Sequence, residues 1–236
     1  MTRQLAFDLP VREAFLREDF FTSPANAAAL SALAGGQSWP AGKMLLVGPA
    51  GSGKSHLAHI WTAEHGAKLI DARDLVGADL PALAAHGAVA VEDADRIAGD
   101  RAAETALFHL HNMLIQTGQA VAGRLLITAT TPPRDWGLIL PDLQSRMQAA
   151  SLTRIAPPDD ALMSAVLIKL FSDRQIAVPP NLIPYLVQRI ERSIDAARDV
   201  VAKLDGLALA LGRPVTRALA AAYMGPMVDL DSRDPD

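Results

Sequence analysis

The stretch Gly48-Pro49-Ala50-Gly51-Ser52-Gly53-Lys54-Ser55 has the residue types and spacing best suited to chemistry in this sequence. It fits G-x-x-x-x-G-K-[ST] at every fixed position. Glycines so spaced let backbone N–H groups turn inward around phosphate oxygens. A helix starting at Lys54 would add partial positive charge at the same place. Lys54 is then set to reach the terminal phosphates of a nucleoside diphosphate or triphosphate, and the Ser55 hydroxyl to ligate Mg²⁺. Such a site needs a carboxylate at the end of a neighbouring strand, holding the metal through water. Ala88-Val89-Ala90-Val91 followed by Glu92-Asp93 supplies it. Glu92 takes the metal-side position and Asp93 the water-activating one. The usual order is Asp first, so the exchange shifts both carboxylates by a methylene. A misplacement on the order of 1 Å can cost about a hundredfold in rate, so binding should tolerate the exchange better than turnover. A solvated loop from Glu92 to Arg96 is the plainer reading of the same residues.

The elements needed to position these groups are visible. Met44 to Val47 is a short apolar run leading into the phosphate loop and reads as a buried strand, and 67–70, 87–91, 124–128 and 151–155 read as further strands. Helical patterns cover 25–34, 54–65 and 103–117, the last with Leu107, Leu110 and Leu114 at helical spacing. Strands alternating with helices predict an α/β fold, a five-stranded parallel sheet covered on both faces. The pattern changes at Pro157-Pro158. Beyond it only helices are expected: one with Leu162, Val166 and Leu170 repeating, one over 181–191 opened by Pro179-Pro180, one capped by Ser193 and running to about Leu211, and a short one opened by Arg213-Pro214. The domains expected are a tail at 1–12, a nucleotide-binding core at 13–156, a helical lid at 157–225 and an acidic tail at 226–236.

Composition sets outer limits. The chain has 236 residues, half of them hydrophobic, and a net charge of −4, so bulk charge gives no footprint of a dedicated DNA binder. Cysteine is absent, which excludes disulfides and thiolate metal sites and suits a reducing compartment. No signal peptide and no apolar run of about 18 residues is present, so a cytoplasmic protein with no membrane contact is expected. After the lid pattern only the acidic stretch follows, leaving no expected helix-turn-helix domain. His109 and His111 lie two apart on a helical pattern and point to different sides, so they are not read as a metal site. His56 and His59 are read as packing or capping groups.

Further motifs carry a family likeness: Gln4-Leu-Ala-Phe-Asp-Leu-Pro10, Asp19-Phe-Phe-Thr-Ser-Pro-Ala-Asn26, the residues from Trp39 to Trp61, Leu125-Leu-Ile-Thr128 with Pro132-Pro-Arg134, and Leu140-Pro-Asp-Leu-Gln-Ser-Arg146. With these the chain resembles the AAA+ ATPases, within them the DnaA initiator group, and most nearly the Hda/HdaA regulators. The resemblance implies an AAA+ P-loop core, a small all-helical lid, and ADP or ATP with Mg²⁺ as cofactors. It implies that Phe20, Phe21 and Asn26 lie near the adenine, although core packing explains the two Phe residues equally well. It makes Thr128 or Thr130 the sensor of the γ-phosphate, Arg198 a lid arginine on the phosphates, and Arg146 an arginine finger reaching a neighbouring subunit's site. The plainer readings are strand-end packing for the threonines, an i, i+3 pair with Asp195 for Arg198, and a surface ion pair for Arg146.

The tail has its own logic. Leu5, Phe7 and Leu9 alternate behind Gln4, which suits an extended peptide entering a hydrophobic groove. The pattern resembles the peptide that binds the bacterial β sliding clamp. The implied function is a DnaA-related regulator that binds ADP or ATP, docks on the clamp through Gln4, Leu5, Phe7 and Leu9, and stimulates ATP hydrolysis by DnaA, restraining repeated initiation. DNA would then be met only through the clamp, and the resemblance also allows a homo-oligomer. The competing reading is an autonomous AAA+ ATPase such as a helicase loader.

Overall fold

The computed structural model describes residues 17, 20–35, 39–116 and 123–225. The tail residues Gln4 to Pro10 and the acidic stretch 226–236 lie outside the described residues. In chain order the regular elements are α1 (Ala27–Ala34), β1 (Lys43–Val47), α2 (Lys54–His65), β2 (Lys68–Asp71), α3 (Leu80–Ala85), β3 (Ala88–Glu92), α4 (Arg101–Gln116), β4 (Arg124–Ala129), α5 (Pro141–Gln148), β5 (Ser151–Arg154), α6 (Asp160–Asp173), α7 (Leu182–Val187), α8 (Ile194–Leu211) and α9 (Arg217–Met224). Short 3-10 turns lie between several of them.

The five strands form one sheet in the order β2-β3-β4-β1-β5, every pairing parallel. Strand β1 is buried along its whole length, and its side chains alternate between two cores. Leu45 and Val47 face the layer containing Leu107, Leu110 and Leu114 of α4. Met44 and Leu46 face Ala29 and Leu33 of α1 and Leu57, Ala58 and Trp61 of α2. A parallel strand covered on both faces has no polar side, which is why it reads as an unbroken apolar run. All five strands end on the edge from which the phosphate loop leaves β1. The order reverses at β1, and such a reversal opens a crevice at the carboxyl ends of the strands.

Helices α6 to α9 enclose a separate core of Met163, Leu167, Phe171, Leu182, Leu186, Val200, Val201 and Leu204. This is the all-helical lid. Two expected bounds are corrected. The helix expected over 181–191 ends at Val187, because the chain turns so that Ser193 can reach the phosphate loop. The last helix is opened by the Thr216 hydroxyl, which accepts from the Leu219 N–H at 3.2 Å, and not by Arg213-Pro214; buried Val215 anchors the extended approach. Helices α3 and α5 were not expected. Among the described residues no helix is long and apolar enough to cross a membrane.

Candidate functional site

The phosphate loop runs from the end of β1 to the first residue of α2. Gly51 lies at φ +64°, and a Cβ there would overlap the Ser193 hydroxyl of the lid. A Cβ on Gly48 would overlap Ile155 just beyond β5. These glycines are required by close approach from two directions as well as by backbone shape. Lys54 is 7 % exposed, and its ammonium donates to the carbonyls of Gly48 and Pro49, each at 2.9 Å. Burial lowers its pKa, while the carboxylates of Asp93, Asp95 and Asp195 pull the other way. Pro49, Ala50 and Ser55 are exposed, Gly51 and Gly53 are half-buried, and Ser52 is buried. The Ser52 hydroxyl has no hydrogen-bond partner among the described residues.

Strand β3 delivers the acidic pair beside this loop. Val91 pairs with Ile127, so Glu92 comes level with Thr128 at the strand ends. Asp93 follows in the left-handed region, φ +55°, and its N–H donates to the buried Thr128 hydroxyl at 3.0 Å. The Asp93 carboxylate is 3.1 Å from the Arg96 guanidinium. One oxygen of Glu92, Oε1, is buried and unpartnered. Sequence reasoning assigned no role to Asp95, which the structure places at the centre of this corner. Its Oδ2 accepts the Thr130 N–H at 2.9 Å and the Thr130 hydroxyl, while its Oδ1 is buried without a partner. The two threonines thus differ. Thr128 braces Asp93 from within the sheet, and Thr130 is held by Asp95 outside it. Three carboxylates within four residues was the available signal for Asp95.

The lid touches the loop directly. The Ile194 N–H donates to the Gly51 carbonyl at 2.8 Å, and the Ser193 hydroxyl accepts from the Ala196 N–H, capping α8 over the loop. Arg198, on the next turn of α8, is 3.2 Å from Asp195, the i, i+3 pair foreseen as its plainer reading. Of the three residues expected near the adenine, Phe20 packs edge-to-face on His56 with centroids 5.2 Å apart. Phe21 is 39 % exposed. Asn26 is buried and closes its own turn, donating to the Phe21 carbonyl and accepting from the Ser23 N–H.

Arg146 is not brought to this site. It lies in the last turn of α5, and its backbone carbonyl accepts from Lys43 Nζ at 2.8 Å. Lys43 opens β1, the end opposite the phosphate loop, and four extended residues span about 13 Å. The Arg146 guanidinium lies over the Phe108 ring at 5.6 Å and meets no carboxylate among the described residues. Its buried neighbours are also basic. Lys43 is 3.2 Å from Nε2 of His111, burial followed by the Arg146 charge lowers the Lys43 pKa, and burial with the Lys43 charge pushes His111 down to about 4. His109 is exposed and His111 buried, on different sides of α4.

No family model matches the chain. Among solved structures, domain III of the Thermotoga maritima replication initiation protein DnaA is similar with TM-score 0.75 and 18 % identity, over 90 % of this chain and 98 % of that domain. AMPPCP-bound DnaA from Aquifex aeolicus gives TM-score 0.65 and 15 % identity, over 80 % of this chain and 64 % of that one. The FIGL-1 AAA domain in complex with ADP gives 0.60 and 18 %, over 81 % of this chain and 74 % of that one. The chain therefore spans nearly all of the isolated domain and just under two thirds of the Aquifex protein. These likenesses establish the fold as that of an AAA+ P-loop NTPase, a five-stranded parallel core with a helical lid.

Proposed function

We propose that this chain is a nucleotide-binding regulator of replication initiation that acts on a second AAA+ protein. In this reading ADP or ATP sits on Gly48 to Ser55, with Lys54 on the terminal phosphates. Mg²⁺ is held by the Ser55 hydroxyl and, through water, by Glu92. The residues present fit such a group: Ser52 Oγ, Glu92 Oε1 and Asp95 Oδ1 are buried beside the loop with no partner among the described residues. Phe20, Phe21 and Asn26 border the base, Thr128 or Thr130 senses the γ-phosphate, and Arg198 exchanges Asp195 for the nucleotide's phosphates when the lid engages them. Asp93 is the weak link for turnover. An unencumbered carboxylate is needed to activate water, and Asp93 is held by Arg96 in a left-handed turn. The chain's own hydrolysis is therefore slow or absent, and the bound nucleotide serves to set the lid.

The observation carrying this reading is Arg146. A half-buried guanidinium with no counter-ion among the described residues, beside the buried Lys43 ammonium and remote from its own phosphate loop, is suited to an anion supplied by another molecule. An arginine finger in trans stabilises charge on a transferring phosphoryl group and is worth about 10³–10⁵ in rate. We assign the acting partner as DnaA, and the tail residues Gln4, Leu5, Phe7 and Leu9 as the peptide that docks on the β sliding clamp. Arg146 is then the catalytic contribution of this chain to another protein's site. Hydrolysis by DnaA should be followed with DNA-loaded clamp and added wild-type protein, Arg146→Ala, or a form lacking residues 1–12. Wild type should accelerate hydrolysis and both variants should return it to the basal rate. Three indistinguishable traces would sink the proposal, and rapid hydrolysis by the isolated chain would favour an autonomous ATPase.

A further inference from the structure

Helix α5 is only eight residues long, and just Leu143 and Met147 bury apolar side chains beneath it. Such a short helix has little of its own to fix its position. Each of its ends is met by a buried charged side chain from a different element. At its start, Glu104 of α4 is fully buried and forms no salt bridge among the described residues. Its Oε2 accepts the Leu140 N–H at 2.8 Å and the Ile139 N–H at 3.0 Å, while Oε1 accepts Ile139 at 3.1 Å and the Gly99 N–H at 2.9 Å. Leu140 is the residue that caps α5. At the other end, Lys43 of β1 is 5 % exposed and donates to the Arg146 carbonyl, one of those the helix leaves without an internal partner. The signs are those the helix dipole favours: negative at the amino end, positive at the carboxyl end.

We infer that Glu104 and Lys43 form a two-ended clamp that holds α5, and so the Arg146 side chain, in the pose needed to enter a partner's phosphate site. They are positioning residues, acting through Arg146 and touching no ligand. The clamp also ties α5 to the chain's own nucleotide elements. Lys43 begins the strand that ends in the phosphate loop, and Gly99 follows the turn that carries Asp95. The inference rests on the function proposed for Arg146, but the clamp itself can be read without that function.

The chain has no cysteine, so spin labels at Lys68→Cys and Gln148→Cys, both at exposed positions, report only the distance between β2 and the end of α5. That distance should be measured in the labelled parent and with Glu104→Gln or Lys43→Met added. Gln keeps the shape of Glu104 but turns an N–H₂ toward backbone donors, and Met keeps the lysine stem without its charge. Parent protein should give one narrow distribution, and each variant a broad one. With DnaA and loaded clamp, the same substitutions should lower the stimulated rate at saturation by about tenfold to a hundredfold. The half-saturating concentration and ADP affinity should stay within about twofold. Unchanged distributions in both variants would overturn the inference, as would a rate falling in step with ADP affinity, which would mean general loss of structure. Broadened distributions in a protein whose parent never stimulates DnaA would leave the clamp standing and remove the proposed function instead.

Discussion

His111 illustrates how a single buried side chain can carry a pH dependence. Its ring is 1 % exposed, and Nε2 faces the Lys43 ammonium, so the neutral ring accepts there. The folded state holds its pKa near 4 against an ordinary 6.5, because burial and then the Lys43 charge disfavour the imidazolium. The unfolded chain therefore binds more protons between those values, and stability rises with pH across that window. The contribution is fully present above about 6.5 and is lost as pH falls toward 4. It should amount to about 3 kcal/mol at most. Urea titrations from pH 7 to 4 should give a steeper loss of stability for wild type than for His111→Gln, which keeps an acceptor for Lys43 without titrating. Parallel curves would refute this account of the Lys43–His111 pair. At this scale the sequence spoke unevenly. The phosphate loop was legible because its spacing is a backbone requirement. His111 and Glu104 lie seven apart on the same face as Leu107 and Leu114, and polar residues on an apolar stripe were the signal for buried polar groups. Lys43 gave no such warning, since a lysine opening a strand is ordinarily solvated.

Between elements, the contact that joins lid to core is the loop against the start of α8. Gly51 offers its carbonyl to Ile194, and its missing Cβ makes room for Ser193, whose own side chain caps the helix. Gly51→Ala should displace α8 from the loop as well as strain the backbone at φ +64°, which alone costs about 1–2 kcal/mol. ADP affinity by calorimetry should fall about tenfold or more, and retained wild-type affinity would show that the lid and loop are not coupled through this residue. The strands were readable from sequence, β1, β3 and β4 as apolar runs and the edge strands β2 and β5 as shorter runs that mix polar and apolar residues. Helix α5 was not. Its sequence, Pro141 to Gln148, is polar apart from Leu143 and Met147, and what holds it lies 36 and 103 residues away in Glu104 and Lys43. Likewise the early end of α7 is set by where Ser193 must sit, a tertiary demand that periodicity over 181–191 could not report.

Across the whole molecule, two anion-seeking places sit at opposite ends of β1. One is the phosphate loop, closed by glycines, braced by Thr128 and overhung by the lid. The other is Arg146, unpaired with any carboxylate among the described residues and placed on a clamped helix. The chain separates the two and ties Asp93 to Arg96. The division makes sense if each chain supplies a finger to its neighbour. The central claim is that Arg146 drives hydrolysis in a different protein's site, and it can be read in a single turnover. DnaA loaded with γ-labelled ATP should be mixed with clamp on DNA and with this chain carrying only ADP, so that every released phosphate comes from DnaA. Wild-type chain should speed the release by about 10³-fold or more over Arg146→Ala. Equal release from the two would contradict the account.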